Sequence, residues 1–447
     1  MIEENSILKT VAFRNFSKWD VKRFFIKQMK SFFPVVYLSE LLNEQTEKKK
    51  LSKFPEEDFG ILGVTNDGGM FDAYTEKGKN IKQPYKIVRN DFIAYNPYRV
   101  NVGSIGIKKD FLKNEYISNA YVVFSTKENL SPDYLYLLMH TQKFNQLIRE
   151  NTTGSVRQTL SFENLCKIAI PVPQLKEQKA IVHKYQETIE NAEKLEQQAE
   201  KENISIDNYI FKMLGIHEIS LERNNDSLIS TAFFCNLYNW DAKHAILNEN
   251  PQTLLKSDHY KNIPIKKAFA INPLTSIPKD LGEITFLPME CISDIYGTVI
   301  EKRTIDSQVK GYTKFKDNDV IFAKITPCMQ NGKSAVVTDL EQGYGMGSTE
   351  FHVFRAITDE VKPEYLHSLL RTVMLRKAAM NYFTGSSGQQ RVSSEFIENL
   401  YIPLPPLSVQ EEIVSQINQI KTHVKNLREQ AKDLRLHAEQ EFEKSIF

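Results

Sequence analysis

Two short loops in this sequence carry polar groups of the kind that bind phosphates and the edges of bases. Residues 153–158 read TGSVRQ, and residues 384–391 read TGSSGQQR. Each loop combines the backbone freedom of glycine with hydroxyl, amide and guanidinium donors, which are the groups that contact nucleic-acid backbones and base edges. The candidate contact residues are Ser155, Arg157 and Gln158 in the first loop and Ser386, Gln389, Gln390 and Arg391 in the second. Because the loops occupy corresponding places in two halves of the chain, a shared role is favoured, with an ordinary shared turn as the alternative.

Basic residues gather in two stretches, although the chain as a whole is nearly neutral. The 57 Lys and Arg against 56 Asp and Glu give a net charge of +1, which argues weakly against a freestanding nucleic-acid binder. Basic side chains are nevertheless concentrated within 77–89 and within 302–324. From these stretches we take Lys79, Lys82 and Lys324 as candidate contacts, and solvated loop surface is the alternative.

Residue types that could carry catalysis or bind a metal form no recognisable pattern. The histidines are dispersed, the four cysteines have no paired spacing, and no carboxylate pair or nucleophile–base pattern stands out. The segment NGKS at 331–334 imitates the end of a phosphate-binding P-loop, but Pro327 stands where that motif needs glycine. Residues 95–98 read YNPY and lack the second proline of the motif with which adenine methyltransferases hold their target. We therefore predict no catalytic residue, no metal site and no cofactor in this chain.

The sequence contains two copies of one layout. The pattern F-x-N-x-x-x-W-D-x-K at 13–22 recurs at 234–243, and I-P-x-P-x-L-x-x-Q-x-x-I-V at 170–182 recurs at 402–414. A period of roughly 220 to 230 residues is too long for a solenoid repeat, so it predicts two homologous domains. Two modules on a rigid spacer suit a duplex that presents two half-sites.

A long helix is expected after each Pro-x-Pro segment, because proline blocks extension of a helix towards the N-terminus. In the second helix the apolar residues alternate in steps of four and three, as in the a/d seam of a coiled coil. The expected seam residues are Ile181, Tyr185, Ala192 and Leu195 in the first helix and Ile413, Ile417, Ile420, Val424 and Leu427 in the second. Similar lengths favour an antiparallel coiled coil with pseudo-twofold symmetry. Packing of each helix on its own domain or on another chain is the alternative.

The remaining elements predict an α+β fold. Strands are expected at 85–88, 92–95 and 121–124 and again at 320–323, 334–337 and 351–354, with single helices at 132–148 and 363–383. The chain is 41% apolar and 25% charged, without an apolar run of about 20 residues or a secretory signal. We therefore expect a cytoplasmic protein that does not enter a membrane.

These segments together resemble the specificity subunits of type I restriction-modification systems. The resemblance covers nearly the whole chain and rests on the paired segments 170–182 and 402–414, on YNPYRVNVGSIG at 95–106, and on ITPCMQNGK at 325–333 with STEFHVF at 348–354. It adds further candidate DNA contacts, which are Arg99, Asn101, Gln330, Asn331 and Lys333. The repeated Trp-Asp pair has no role that we assign.

Such a family implies two target-recognition domains, each reading one half of a bipartite, asymmetric sequence of double-stranded DNA, with the helices as spacer. It implies two methyltransferase subunits docked on the helices and motor-nuclease subunits that join them; S-adenosylmethionine, ATP and Mg²⁺ would belong to those partners. The expected layout is a first target-recognition domain at 1–170, a central spacer helix at 171–215, a linker at 216–230, a second domain at 231–402 and a C-terminal spacer helix at 403–447. A self-sufficient DNA methyltransferase or nuclease, and a coiled-coil protein scaffold, are the alternatives.

Overall fold

The computed structural model describes residues 29, 31–66, 68–152, 159–217, 251–385 and 389–447. Contacts divide the chain into two compact units, the first formed by Met1–Leu195 with Gln430–Phe447 and the second by Glu196–Glu429. The two Trp-Asp segments and nearly all of the expected linker lie outside the described residues.

The first unit combines short strands with helices. Its strands are β1 (Val35–Tyr37), β2 (Leu42–Glu44), β3 (Lys48–Lys49), β4 (Asp58–Val64), β5 (Met70–Lys77), β6 (Tyr85–Ile87), β7 (Ile93–Tyr95), β8 (Ile105–Ile107), β9 (Tyr116–Ile117), β10 (Val122–Thr126) and β11 (Ala169–Pro171). Its helices are α1 (Leu38–Leu41), α2 (Pro132–His140), α3 (Gln142–Asn151), α4 (Phe162–Leu165) and the first half of α5 (Leu175–Leu214). The strands form sheets in the orders β2-β10-β7-β8, β3-β6-β9-β4-β5 and β1-β11.

The second unit repeats this plan. Its strands are β12 (Asn262–Pro264), β13 (Phe269–Ile271), β14 (Glu283–Leu287), β15 (Arg303–Asp306), β16 (Thr313–Lys316), β17 (Val320–Ala323), β18 (Ser334–Val336), β19 (Tyr344–Gly347), β20 (Phe351–Ala356), β21 (Phe383–Thr384), β22 (Arg391–Val392) and β23 (Tyr401–Pro403). Its helices are α6 (Pro363–Arg371), α7 (Val373–Asn381), α8 (Ser394–Glu398), the second half of α5 and the first part of α9 (Leu407–Ile446), whose last part belongs to the first unit. The sheet order β13-β20-β17-β18 matches β2-β10-β7-β8, and β12-β23 matches β1-β11.

This matching order confirms the α+β fold class and the duplication. The inner strands β7 and β17 are buried along their whole length, which suits their β-branched and aromatic residues. In each unit the sheet with this shared strand order and the neighbouring helices enclose the largest hydrophobic core.

The expectation of one helix at 132–148 and one at 363–383 is wrong, because each is broken by a threonine. Thr141 has an extended backbone, with φ −67° and ψ 151°. Its hydroxyl donates to the Leu138 carbonyl at 2.7 Å and accepts from the Phe144 amide at 3.2 Å. The side chain thus closes α2 and caps α3, in the manner of N-terminal threonine caps. Thr372 occupies the corresponding place between α6 and α7 and donates to the Leu369 carbonyl at 2.8 Å.

The repeated Pro-x-Pro segment places a buried glutamine at the start of each long helix. In the first unit Gln178 is fully buried. Its Oε1 accepts from the Ser131 amide at 2.7 Å, and its Nε2 donates to the carbonyls of Asn129 and Pro173 at 2.9 and 2.8 Å. Because Ser131 is the N-cap of α2, this side chain joins the beginnings of α2 and α5.

Gln410 does the same in the second unit. Its side chain is fully buried, its Oε1 accepts from the amide of Lys362, the N-cap residue of α6, at 2.9 Å, and its Nε2 donates to the carbonyls of Glu360 and Pro405 at 2.8 and 2.9 Å. All three hydrogen-bonding groups of each amide are therefore used, one on the amide of an N-cap residue, which the helix leaves unpaired, and two on carbonyls of the chain that precedes the helices.

The expected seam residues lie along the facing sides of α5 and α9. In the first unit Ala192 is buried, Ile181, Tyr185 and Leu195 are half-buried, and the Tyr185 ring lies 5.9 Å from that of Phe442. In the second unit the buried seam residues are Ile413, Ile417, Val424 and Leu427, with Ile420 half-buried.

Two side-chain contacts in the second unit give the relative direction of the two helices. Glu200 forms an ion pair with Arg428 at 3.2 Å, and a carboxylate oxygen of Glu202 lies 3.4 Å from His423 Nε2. Rising residue numbers in α5 therefore meet falling numbers in α9, so the helices run antiparallel there.

Candidate nucleic-acid interface

Two equivalent loops lie at the same edge of the equivalent sheets. The first connecting loop, residues 96–104, joins β7 to β8, and the second connecting loop, residues 324–333, joins β17 to β18. Each contains a glycine in the left-handed region two residues before the next strand, namely Gly103 with φ 89° and Gly332 with φ 81°. Glycine adopts this conformation without the steric cost that a side chain imposes. These loops contain most of the described candidate residues.

The first connecting loop is a compact turn with an exposed tip. The Asn96 side-chain oxygen accepts from the Tyr98 amide at 3.0 Å, and the Asn96 amide donates to the Ser104 carbonyl at 3.1 Å. The turn leaves Tyr98 57% exposed beside an exposed Arg99. Within the described part of the chain, no hydrogen bond or ion pair engages the Arg99 guanidinium, so its charge is available to a ligand.

Asn101 is half-buried in the same loop. Its carbonyl accepts a hydrogen bond from Asn145 Nδ2 at 3.1 Å. The Leu160 amide donates to the Pro97 carbonyl at 3.1 Å, which brings the chain just after the 153–158 loop beside the first connecting loop.

The second connecting loop lies against the residues that follow the other Gly-Ser segment. The Thr326 amide donates to the Gln390 carbonyl at 3.0 Å, and the Val392 amide donates to the Lys324 carbonyl at 2.9 Å. The structure thus brings Lys324, Gln330 and Asn331 together with Gln389, Gln390 and Arg391. Asn331 and Gln389 are exposed, and the other side chains of this group are half-buried.

Two candidate cations in and beside the second connecting loop, Lys333 and Arg391, already have partners within the protein. Lys333 donates to the Met289 carbonyl at 3.0 Å. The Arg391 guanidinium faces both carboxylate oxygens of Glu350, with Nη2–Oε1 and Nε–Oε2 distances of 2.8 and 2.9 Å, and its Nη1 donates to the Gln389 carbonyl at 2.8 Å. This pairing lowers the pKa of Glu350 and raises that of Arg391, so both remain charged and a phosphate would have to compete with the carboxylate for the guanidinium.

The two candidate lysines of the first basic stretch, Lys79 and Lys82, are exposed. Lys79 lies 3.6 Å from a carboxylate oxygen of Glu56, an exposed pair of a kind that contributes little. Lys82 is exposed, and no ion pair involves it within the ranges that the structure describes. Ser155, Arg157, Gln158 and Ser386 lie outside the described residues.

Sequence reasoning missed the basic residues beneath the second connecting loop. Arg371, the last residue of α6, donates to the carbonyl of Gly332 and, at 3.0 Å, to those of Asp294 and Ile295. Burial, reinforced by neighbouring Arg376, lowers the pKa of Arg371 to about 10. In the sequence, only their position indicates these two residues: Arg371 directly precedes, and Arg376 closely follows, Thr372, the threonine that separates α6 from α7.

The segment that imitates a P-loop has the wrong structure for nucleotide binding. Residues 334–336 form strand β18, so no helix N-terminus faces the glycine. The described ranges contain no cluster of histidine, cysteine and carboxylate groups suited to a metal ion. No helix among the described residues is long and apolar enough to cross a membrane.

Comparison with known proteins identifies the family. The sequence model of the type I restriction modification DNA specificity domain matches residues 33–204 and 273–433, one match in each half and well over half of the chain in total. The protein therefore belongs to this family.

Two curated relatives come from Escherichia coli. The chain is 35% identical over 188 residues to the specificity subunit of the type I restriction enzyme EcoAI, and 32% identical over 187 residues to that of EcoEI. Each match covers 41% of this chain and 32% of the relative, about a third of its length. Among solved structures, a chain from a study of assembly and conformational transition in the type I R-M system is 15% identical, with a TM-score of 0.57 over 94% of this chain and 98% of that one. That likeness concerns the fold.

Proposed function

We propose that this chain is the DNA sequence-recognition subunit of a type I restriction-modification complex. The observation that carries the proposal is the repeated connecting loop, which occurs at the same sheet edge in both units with polar, partly exposed residues. Membership of the specificity-domain family supports the same role. The target is double-stranded DNA, and we propose the cytoplasm as the compartment in which the chain reads it.

The recognised sequence is bipartite, with two unlike halves. The two connecting loops share a backbone plan but differ in side chains, for example Arg99 and Asn101 in one against Gln330 and Asn331 in the other. Hydrogen bonds to base edges depend on those side chains. We propose that residues 1–170 and 231–402 act as the two readers, with the helices at 171–215 and 403–447 as spacer and 216–230 as linker.

The chemistry belongs to partner subunits. In this proposal the chain itself is not catalytic, and two methyltransferase subunits and the motor-nuclease subunits use S-adenosylmethionine, ATP and Mg²⁺. The near-neutral charge of the chain fits a subunit whose partners complete the electrostatic contact with DNA.

The test is an exchange of one reader. Residues 260–398 are replaced by the corresponding segment of a family member with a different target, and methylated sites are mapped in a host that also carries the partner methyltransferase gene. One half of the methylated motif should change while the other half and the gap stay the same. A change in both halves would contradict independent readers. Exchanging residues 37–165 instead is the matched control, and it should change the opposite half.

Two further measurements separate the alternatives. Stoichiometric binding of S-adenosylmethionine by the purified chain would favour a self-sufficient methyltransferase. Absence of any sequence preference in the assembled methyltransferase, measured on a library of random duplexes, would favour a protein scaffold.

A further inference from the structure

The same helix position holds the connecting loop in both units. Asn145 is the fourth residue of α3, and its Nδ2 donates to the carbonyl of Asn101 at 3.1 Å. Arg376 is the fourth residue of α7, and its Nη1 donates to the carbonyl of Gln330. Each carbonyl belongs to the residue two positions before the left-handed glycine of its loop. The two helices therefore reach the same backbone atom with different side chains.

In the second unit the hydrogen bonds that fix the loop extend as far as the long helix α9. Arg376 Nε donates to the Arg371 carbonyl at 3.0 Å, and Arg371 in turn holds the carbonyls of the 294–295 segment. Lys421 of α9 donates to the neighbouring Tyr296 carbonyl at 3.2 Å. A chain of hydrogen bonds thus connects α9, the 294–296 segment and the second connecting loop.

In the first unit fewer side chains bind the connecting loop among the described residues. His140 stands where the second unit has Arg371, and its Nδ1 contacts the Tyr136 carbonyl of its own helix at 2.8 Å. Within the described residues, Asn145 is thus the side chain of this helix pair that holds the loop carbonyl in the first unit.

The cost of these contacts argues against a purely stabilising role. Asn145 Oδ1 is buried without a hydrogen-bond partner among the described residues, and a buried unpaired acceptor is unfavourable. Arg371 and Arg376 lie side by side in a half-buried setting that lowers the pKa of both. Groups of this kind are concentrated at functional sites, where positioning outweighs stability.

We infer that Asn145 and Arg376 are positioning residues, each fixing the backbone of one connecting loop and thereby the bases that its reader accepts. The inference rests on the proposed function, because it assumes that the connecting loops face DNA. Neither side chain needs to touch DNA. Each should affect only the half of the target that its own unit reads.

The experiment compares Asn145→Ala and Arg376→Met in the complete complex with its partner methyltransferase. Methionine retains the apolar stem of arginine and removes the donor, which protects packing. Sequence preference is measured by selection from a random duplex library, and melting temperatures are recorded alongside. Each variant should lower discrimination against single-base changes in one half by about tenfold, within the range of a lost base contact. The affected halves should be opposite for the two variants.

Three controls make the result specific. Arg376→Lys keeps a donor and should restore most of the discrimination lost in Arg376→Met. Asn114→Ala removes an equivalent side-chain hydrogen bond, to the Ile61 carbonyl at 2.9 Å, elsewhere in the first unit. Arg428→Ala removes an arginine whose partner is Glu200 of α5. The last two should leave both halves unchanged.

The outcomes are distinguishable. If the wild-type complex shows no sequence preference, the proposed function fails and this inference fails with it. If the wild type selects a bipartite motif but both variants keep full discrimination, or each loses it equally in both halves, positioning by these two residues is refuted while the proposed function stands.

Discussion

Replacing Gln410 by alanine should destabilise the second unit more than any exposed glutamine substitution in the chain. The side chain is fully buried, and its amide makes three hydrogen bonds, to the Lys362 amide and to the carbonyls of Glu360 and Pro405. Alanine leaves all three backbone groups without their partner. It also leaves a cavity where α9 begins.

The size of the effect follows from these contacts. Each neutral hydrogen bond contributes about 1 kcal/mol net, and a buried group left unpaired costs about 1–3 kcal/mol. Water that enters the cavity would recover part of this loss. We therefore expect a loss of about 2–4 kcal/mol in the free energy of unfolding. Gln178→Ala should have a similar effect in the first unit, because Gln178 makes the same three types of contact.

Amide hydrogen exchange is the suitable assay, because a chain with two units need not unfold in one transition. Gln410→Ala should accelerate exchange most in α6 and in the first turns of α9. The control is Gln198→Ala, whose exposed side chain donates to Glu202 at 3.1 Å and should cost less than about 0.5 kcal/mol. If the amides of α6 and of the first turns of α9 exchange at the same rates in Gln410→Ala and in Gln198→Ala, Gln410 does not join the beginnings of these two helices.

Three further predictions concern pH, salt and spacing. Burial, with Arg371 nearby, lowers the pKa of Lys421 to about 8; the unfolded state therefore binds more protons above that pH, and the stability of the second unit should rise from about pH 8 towards 10. Lys421→Gln should flatten this rise in urea unfolding curves. Arg157→Ala and Arg391→Ala should each weaken binding of the assembled methyltransferase to cognate and unrelated DNA alike, and should reduce the slope of log affinity against log salt concentration by about one. Unchanged affinity and slope in both variants would mean that the loops at 153–158 and 384–391 are ordinary turns. One heptad inserted near Ala199 lengthens α5 by about 10 Å and should widen the gap between half-sites by about three base pairs; an active mutant with the original gap would contradict a spacer role.

Features set by local pattern or repetition could be predicted from the sequence. The steps of four and three predict a long amphipathic helix, and α9 extends over Leu407–Ile446. The apolar run at 320–323 predicts a strand, and β17 has those bounds and is buried. The break at Thr141 was not predictable from the spacing of apolar residues, because the residues that α2 and α3 bury, taken together, also fit one face of a single continuous helix.

The hydrogen-bond and ion-pair partners of the candidate side chains could not be predicted from the sequence. The glycine-rich surroundings of Arg391 predict a DNA contact, but its partner Glu350 lies 41 residues away in the sequence. The two residues meet only because the second connecting loop pairs with the 389–392 segment. Similarly, the hydrogen bond from Asn145 to Asn101 spans 44 residues. Such contacts depend on tertiary packing, which residue types and spacing do not specify.

The internal repeat separates what the fold requires from what recognition can vary. One buried side chain that is identical in both copies binds backbone in each: the hydroxyls of Tyr134 and Tyr365 donate to the carbonyls of Pro171 and Pro403 at 3.0 and 2.9 Å. A replacement without a hydrogen-bond donor leaves a buried carbonyl unpaired in either unit, which favours the same side chain in both copies. Beneath the connecting loops, a side chain needs only a hydrogen-bond donor within reach of the loop carbonyl, and both asparagine and arginine supply one. Two units can therefore keep one scaffold and still present their loops differently, which is the physical condition for reading two unlike half-sites with one chain.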